Sequence, residues 1–441
     1  MFRIQLLIRI WNLIRKKPGG RKLPAYQVYI IYSFTTALFF TMVFTVNLVY
    51  QSEVIHLDPL QLVLVGTVLE AACFMFELPT GIVADLYSRK RSVLIGLVLI
   101  GAGFITEGSA SVFMTVLAAQ VMWGMGCTFI SGAIDAWIAE EETVKSLEGI
   151  YLKGSQAGEV GAAAGILTGT VMGNFSLRIP IITGGSLFII LAVFLLFLMP
   201  EYNFKPSAMQ RMTLRENIGH TLQSGFAAIK INKAVRIFLL ITFFTGLAGE
   251  GFDRLYTVHF LKDTILPKVG ELQPVTWFGI FSLAGTVLNL IILYIIEKGM
   301  ANKKINQLLF LIYNNSFCIL SVILFALTKN FYIMVLTYLL TCCLKTVNNP
   351  IFNARLNSSI EDNVRATVLS ANGQMNALGQ ILGGPMIGIL AERVSVSTGI
   401  FYTGILLIPV VLLYGFSANT LKSADKTVNK LLMDNQSDAG G

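Results

Sequence analysis

The stretch Glu77-Leu-Pro-Thr-Gly81-Ile-Val-Ala-Asp85-Leu-Tyr-Ser-Arg89-Lys90-Arg91 decides how the rest of the chain is read. Its charged end connects two long apolar blocks, residues 60–86 and 91–109. Each block matches the roughly 20 residues that a membrane-crossing helix needs. Neither block alternates with a period of two, and neither does the later run Leu187–Leu198, so the strands of a β-barrel are excluded. Asp85 and Arg89 stand four residues apart and can pair or engage a neighbouring helix end. Gly81 reads as the small residue where two helices approach closely. Arg89, Lys90 and Arg91 form a basic triplet that marks one side of a bilayer.

The 441 residues are 54% hydrophobic and only 13% charged. A soluble chain carries about 25% charged residues, so a water-facing surface of this size is excluded. Twelve spans are predicted, at residues 27–50, 60–86, 91–109, 112–138, 149–173, 178–199, 235–261, 274–297, 305–327, 331–354, 367–391 and 396–416. They divide the chain into a basic amphipathic segment (1–26), a six-helix bundle (27–199), a linker (200–234), a second six-helix bundle (235–416) and a tail (417–441). Arg9 and Arg15 interrupt the first apolar run and no small-residue cleavage site follows, which argues against a signal peptide. The linker holds Thr213-Leu-Arg-Glu216, a capping-box pattern, ahead of apolar residues at helical spacing, and a surface helix is expected there.

Of the 33 Lys and Arg residues, 26 fall in segments on the side of the termini and 5 on the other. That imbalance predicts both termini in the cytoplasm, and it accounts for the net charge of +8 without nucleic acid. The two halves also echo one another. A displacement of 218 residues sets Gln156 on Gln374, Gly161 on Gly379 and Gly165 on Gly383, as expected of a parallel repeat. Cys73, Cys127, Cys318, Cys342 and Cys343 all lie in apolar runs and read as small buried residues without disulfide or metal roles.

The sequence Gly81-x-x-x-Asp85-x-x-x-Arg89-Lys90 resembles motif A of the major facilitator superfamily, and Glu77-Leu-Pro-Thr-Gly81 resembles the lead-in of its bacterial drug-efflux members. The resemblance implies an all-α integral membrane fold of twelve transmembrane helices in two pseudo-symmetric six-helix bundles. It also implies a gating latch of Gly81, Asp85, Arg89, Lys90 and Arg91, with Asp135 as its partner near the inner end of span four. Departures are plain: Leu86 and Ser88 replace a basic residue and a glycine, Gln120 stands where motif B has arginine, and span five lacks the Gly-Pro of motif C. These departures weaken the assignment as a proton antiporter, not the family.

Ionisable groups at bilayer depth cost at least about 2.5 kcal/mol each, and each calls for a partner or a purpose. The candidates for proton coupling or substrate binding are Glu70, Glu77, Glu159, Glu250, Asp253, Arg254 and Lys345, with Glu250 foremost. In span seven, Glu250, Asp253 and Arg254 fall at i, i+3 and i+4, so one carboxylate can pair with the guanidinium while another stays available. Burial in a low-dielectric cavity favours the neutral form of an unpaired carboxyl group, as a proton carrier requires. The competing reading is a set of satisfied pairs, Glu250 or Asp253 with Arg254 and Lys345, that hold the helices together. Aromatic residues such as Phe39, Phe40, Trp123 and Trp277 are expected mostly between helices or against lipid.

His56, His220 and His259 are far apart, and no phosphate-binding glycine loop is present, so neither an enzyme nor an ATP-driven pump is expected. The expected function is secondary active transport by alternating access: proton-coupled efflux of lipophilic, cationic or zwitterionic drug-like compounds. The alternative is proton-coupled movement of a nutrient or lipid-linked metabolite. No catalytic residue, metal or cofactor is expected. The expected partners are a small-molecule substrate, protons and the bilayer, and the expected state is a monomer in a bacterial inner membrane.

Overall fold

The computed structural model describes residues 23–142, 146–206, 233–267, 273–301, 306–360 and 365–417. The amphipathic segment before Leu23, the linker helix and the tail beyond Ser417 lie outside the described residues. Among the described residues there are twelve helical rods: α1 (Ala25–Glu53), α2 (Pro59–Leu86), α3 (Arg89–Ser109), α4 (Phe113–Glu141), α5 (Leu147–Phe175) and α6 (Arg178–Leu198) in the first half. The second half has α7 (Lys233–Asp263), α8 (Val275–Ala301), α9 (Gln307–Leu327), α10 (Phe331–Asn357), α11 (Arg365–Arg393) and α12 (Val396–Ser417).

Ten of these described helices are long and apolar enough to cross a membrane on length and composition alone; α5 and α11 are the other two. Their polarity has a structural reason, because both are glycine-bearing helices inserted between neighbours. A Cβ on Gly161 or Gly165 of α5 would collide with the carbonyls of Phe34 and Leu38 on α1. A Cβ on Gly379 or Gly383 of α11 would collide with those of Phe243 and Leu247 on α7. The same contact thus recurs at the positions related by the 218-residue displacement. Helix pairing repeats as well: α1 packs on α5 and α6 as α7 packs on α11 and α12, and α3 packs on α4 and α6 as α9 packs on α10 and α12. The bundles meet through α2 against α11 and α5 against α8, a symmetric pair of seams.

Local chemistry sets the ends. Asp58 and Gln61 form a capping box with Pro59 in the first turn of α2. Asn306, Asn330 and Ser395 cap α9, α10 and α12 with side-chain acceptors. Two predicted continuous spans are broken. In α4, Gly132 adopts φ 72° and separates Phe113–Ile130 from Ala133–Glu141, a left-handed turn that glycine accepts without a Cβ clash. In α12 the break falls at Leu407, because Pro409 has no N–H to continue the ladder.

Burial is organised in three apolar clusters. One belongs to the first half, around Phe104, Trp137 and Phe188, with Val275 of the second half reaching it. Another belongs to the second half, around Phe238, Phe352 and Tyr414. The third joins the halves at the end where α2 begins: Val49, Leu62 and Val63 share it with Phe252, Val258 and Phe260. At the same end Thr170 meets Gly279, and Asn174 bonds the Thr276 hydroxyl at 3.0 Å and the Gln273 N–H at 2.8 Å. The bundles are therefore sealed at the Pro59 end.

Candidate functional site

At the opposite end, Arg89 pairs with Asp85 one turn back, as the i, i+4 spacing predicts, and its second amino group lies 3.6 Å from Glu140 on α4. Asp135 is not part of that cluster. Its carboxylate accepts from the Tyr29 hydroxyl of α1, and its main-chain carbonyl lies 3.3 Å from the Tyr151 hydroxyl. The turn at Gly132 starts a new helix piece and gives Glu140, not Asp135, the azimuth that faces α3. Gly81 differs from expectation too: α2 continues to Leu86, and a Cβ on Gly81 would meet nothing within 4 Å. Among the described residues, no helix approaches it closely.

The residues after α6 complete this end, and sequence reading missed them. Glu201 accepts the Ser88 hydroxyl at 2.7 Å and the Lys90 N–H at 2.8 Å, capping α3. The Lys90 ammonium donates to the carbonyls of Leu196 and Met199 at 2.7 and 2.8 Å, where cations suit a helix C-terminus. The Trp137 indole donates to the Pro200 carbonyl at 2.6 Å, and Glu141 accepts the N–H groups of Tyr202 and Asn203 at 2.6 Å. Lys90 thus acts as a helix clamp as well as a topological charge. Arg91 is exposed.

Within the membrane-crossing part, Arg254 Nε donates to Glu250 at 3.1 Å, and both side chains are largely buried. The pair presses on α2 of the other bundle, where a Cβ on Gly66 would overlap the Glu250 carboxylate. Glu250 is consequently not the free carboxyl expected from its depth. Asp253, three residues on, faces α10 instead and accepts from Lys345 at 2.5 Å. Glu250 and Asp253 of α7 are each matched by a cation, the arrangement of the paired reading.

The remaining candidate carboxyls, which have no basic bonding partner among the described residues, lie on the other bundle. Glu77 accepts the Gln374 amide of α11 at 2.7 Å across the seam. Glu70, one turn from Gly66, feels both Glu250 and Arg254 electrostatically and makes no ion pair among the described residues. Glu159 is exposed on α5 and likewise forms no ion pair among the described residues. Glu107, which sequence reading passed over because it closes span three, is buried on α3 and bonded by Gln51 at 2.7 Å and Gln120 at 3.2 Å.

A cavity of about 290 Å³ opens between α7, α10 and α11, lined by Thr242, Thr245, Asn348, Asn349, Asn372 and Asn376. A smaller one of about 90 Å³ lies beside it, with Asn314, Asn315 and the half-exposed Lys345 in its wall. These amides were also missed; the signal was Lys345, Asn348, Asn349 and Asn353 recurring on one apolar helix. The expected aromatics pack mainly in the core: Phe39 and Phe40 meet Phe188, Trp123 meets Phe44 and Phe104, and Trp277 meets Phe331. Among the described residues, no group of three or more His, Cys, Asp or Glu side chains could hold a metal, and the five cysteines are free.

Two six-helix bundles joined by symmetric seams, with ionisable groups near the seam and an amide-lined cavity in the second bundle, fit a multi-pass membrane transporter. The family model of the Major Facilitator Superfamily matches residues 29–384, and the chain belongs to that superfamily of secondary transporters. It is 26% identical over 366 residues to the uncharacterized MFS-type transporter YxaM of Bacillus subtilis (strain 168), covering 80% of this chain and 87% of that protein. It is 22% identical to Multidrug resistance protein 2 of the same organism, covering 70% and 74%. The fold resembles that of the nucleoside transporter NupG (TM-score 0.70, 16% identity, 91% of this chain and 100% of that one). It also resembles a POT family transporter in complex with a thioalcohol-conjugated peptide (TM-score 0.72, 12% identity, 89% and 96%).

Proposed function

We propose that this chain is a proton-coupled exporter of amphiphilic, zwitterionic or cationic small molecules, working by alternating access with both termini in the cytoplasm of a bacterial cell. The observation that carries the reading is Glu70 on α2 facing the Glu250–Arg254 pair on α7, with Gly66 giving the pair its space. Two carboxyl groups then compete for one guanidinium across the contact that must open and close. Glu70 feels the repulsion of Glu250 more strongly than the attraction of Arg254, so its ionised form pushes α2 from the pair and a proton on it removes that repulsion; proton occupancy and bundle position become linked. Cargo occupies the amide-lined cavity and its smaller neighbour, whose wall holds Lys345, the cation bonded to Asp253.

On this reading the sealed Pro59 end is external, and the structure faces the cytoplasm. The latch of Asp85, Arg89 and Glu140 then waits for α11, and the open space at Gly81 receives that helix in the opposite state. The similarity to Multidrug resistance protein 2 supports export. The amide-rich cavity favours a second reading, uptake of a polar nutrient, because carboxamides reward hydrogen-bonding solutes over purely lipophilic ones.

Everted vesicles distinguish the two readings. A cationic dye should accumulate when a proton gradient is imposed and should dissipate that gradient as it enters. Glu70→Gln should abolish uphill movement while dye binding persists. Full active transport in Glu70→Gln would overturn the coupling assignment. No dye-linked proton movement across a broad panel, together with movement of polar solutes, would favour uptake.

A further inference from the structure

Near the Pro59 end of the first bundle, α1, α3 and α4 enclose Glu107. The carboxyl is 1% exposed, Gln51 and Gln120 are 0% exposed and Asn47 is 4% exposed. Asn47 and Gln51 stand one turn apart on α1 and face the same point. Gln51 Nε2 donates to one carboxylate oxygen at 2.7 Å and Gln120 Nε2 to the other at 3.2 Å, and the Asn47 amide reaches the same group. The Tyr50 hydroxyl occupies the Glu107 main-chain carbonyl at 3.1 Å. With their nitrogens turned to the carboxylate, the three amides leave Asn47 Oδ1, Gln51 Oε1 and Gln120 Oε1 buried without partners.

This cluster is rich in oxygen and carries a negative charge. No basic side chain bonds to Glu107 among the described residues. Arg254 acts on it only through space while bonded to Glu250, and Arg178, near Tyr50, donates to Ser111. A carboxamide has nearly the same shape when turned by half a revolution, so each of the three can present oxygen instead of nitrogen to the centre. Oxygens then converge from four side chains on a point that already holds one negative charge. Carboxylate and amide oxygens suit hard cations, and soft or borderline metals would want the His and Cys ligands that this point lacks. One carboxylate balances one positive charge, and a divalent ion would leave a net charge in a low-dielectric interior.

We propose that Glu107, Asn47, Gln51 and Gln120 form a binding site for an alkali-metal cation, Na⁺ or K⁺, within the first bundle. The site is separate from the Glu70 coupling reading and does not rest on it. Its occupancy ties α1, α3 and α4 together beneath the sealed end.

The test is thermal unfolding of the purified full-length protein in detergent, titrated with NaCl or KCl against choline chloride at constant ionic strength. The expected result is a saturable rise of the unfolding midpoint with an alkali cation and none with choline, the more effective salt identifying the ion. Glu107→Gln should lose the rise, and Gln120→Leu, which keeps the carboxylate, should shift the titration to higher salt. Glu70→Gln should retain the rise, so failure of the coupling reading would leave this one standing. Should Glu107→Gln not fold, Gln51→Leu and Gln120→Leu carry the comparison. An equal rise with choline, or a full alkali effect in either glutamine variant, would overturn the site. So would a midpoint indifferent to salt that responds only to pH in chains carrying Glu107, because the carboxyl would then take a proton instead.

Discussion

Replacing Arg254 by methionine removes the cation that balances Glu250 and keeps much of the side-chain volume. The side chains of Glu250 and Arg254 are 6% and 14% exposed, and the guanidinium is the only base bonded to that carboxylate among the described residues. Truncating one member of such a buried pair costs about 3–5 kcal/mol, because the partner charge is left uncompensated. Glu70 worsens the case by adding a second carboxyl nearby. The double variant Glu250→Gln with Arg254→Met removes both charges, and replacing a whole buried pair by uncharged groups is often close to neutral. The cycle should therefore be strongly non-additive, with a coupling of up to about 3 kcal/mol. The measurement is the unfolding midpoint of purified protein in detergent for wild type, both single variants and the double. A second readout, proton-driven dye uptake in everted vesicles, separates stability from function. The double variant should regain its midpoint and stay inactive, because Glu70 no longer competes for a guanidinium. If Arg254→Met unfolds like wild type, the pair is not buried as described. If the double variant transports normally, the pair has no part in coupling.

Three further outcomes follow from the packing. Gly383→Val drives a side chain into the main chain of Leu247, so overpacking should cost about 1–3 kcal/mol and transport should fall, read by midpoint and vesicle uptake. Glu201→Ala removes the acceptor for the Lys90 N–H and the Ser88 hydroxyl, and should cost about 1 kcal/mol while speeding amide exchange in the first turn of α3. His259 is fully buried between the Asp263 carboxylate at 2.7 Å and the Phe325 carbonyl at 2.9 Å. His259→Leu leaves that carbonyl unpaired, so the midpoint should drop by the equivalent of about 1–3 kcal/mol.

Hydrophobic blocks made the helices legible, since a span is a one-dimensional property of the chain. All twelve rods lie within a few residues of the segments read from sequence, even though α5 and α11 fail a hydropathy criterion. The glycines of those two give the reason for their lower apolarity, since Gly161 and Gly379 face main-chain carbonyls of the neighbouring helix. The breaks at Gly132 and Leu407 interrupt the backbone without interrupting apolarity, so composition concealed them. The pairing of acids was harder, because it depends on the azimuth of several helices at once. Spacing placed Arg254 near Glu250 on α7, but only the packing of α7 on α10 gives Asp253 to Lys345. Glu107 was hidden for a different reason. A carboxyl at the end of a span reads as interfacial, and only the folded bundle encloses it with three amides from α1 and α4.

The distribution of charge between the halves bears on how coupling can work. Both bases of the spans, Arg254 and Lys345, belong to the second bundle and already hold acids of their own helix or half. The buried or half-buried acids Glu70, Glu77 and Glu107, which have no basic bonding partner among the described residues, belong to the first bundle. Glu70 faces the seam near Arg254, and Glu77 is tied across it by a neutral amide. Protonation of either changes the attraction between bundles without breaking a pair inside one. A proton can shift the two-state equilibrium only by the difference in its affinity for the two arrangements. A carboxyl that is near a guanidinium in one arrangement and away from it in the other supplies that difference. On the proposed alternating-access cycle, Glu250 would keep its guanidinium as α7 moves, because both sit on one helix, and its environment would change least. Glu70 lies on the opposite rod, and the same rocking motion changes its distance from Arg254 most directly. For this geometric reason the coupling role we propose is placed on an acid of α2 and not on Glu250 of α7.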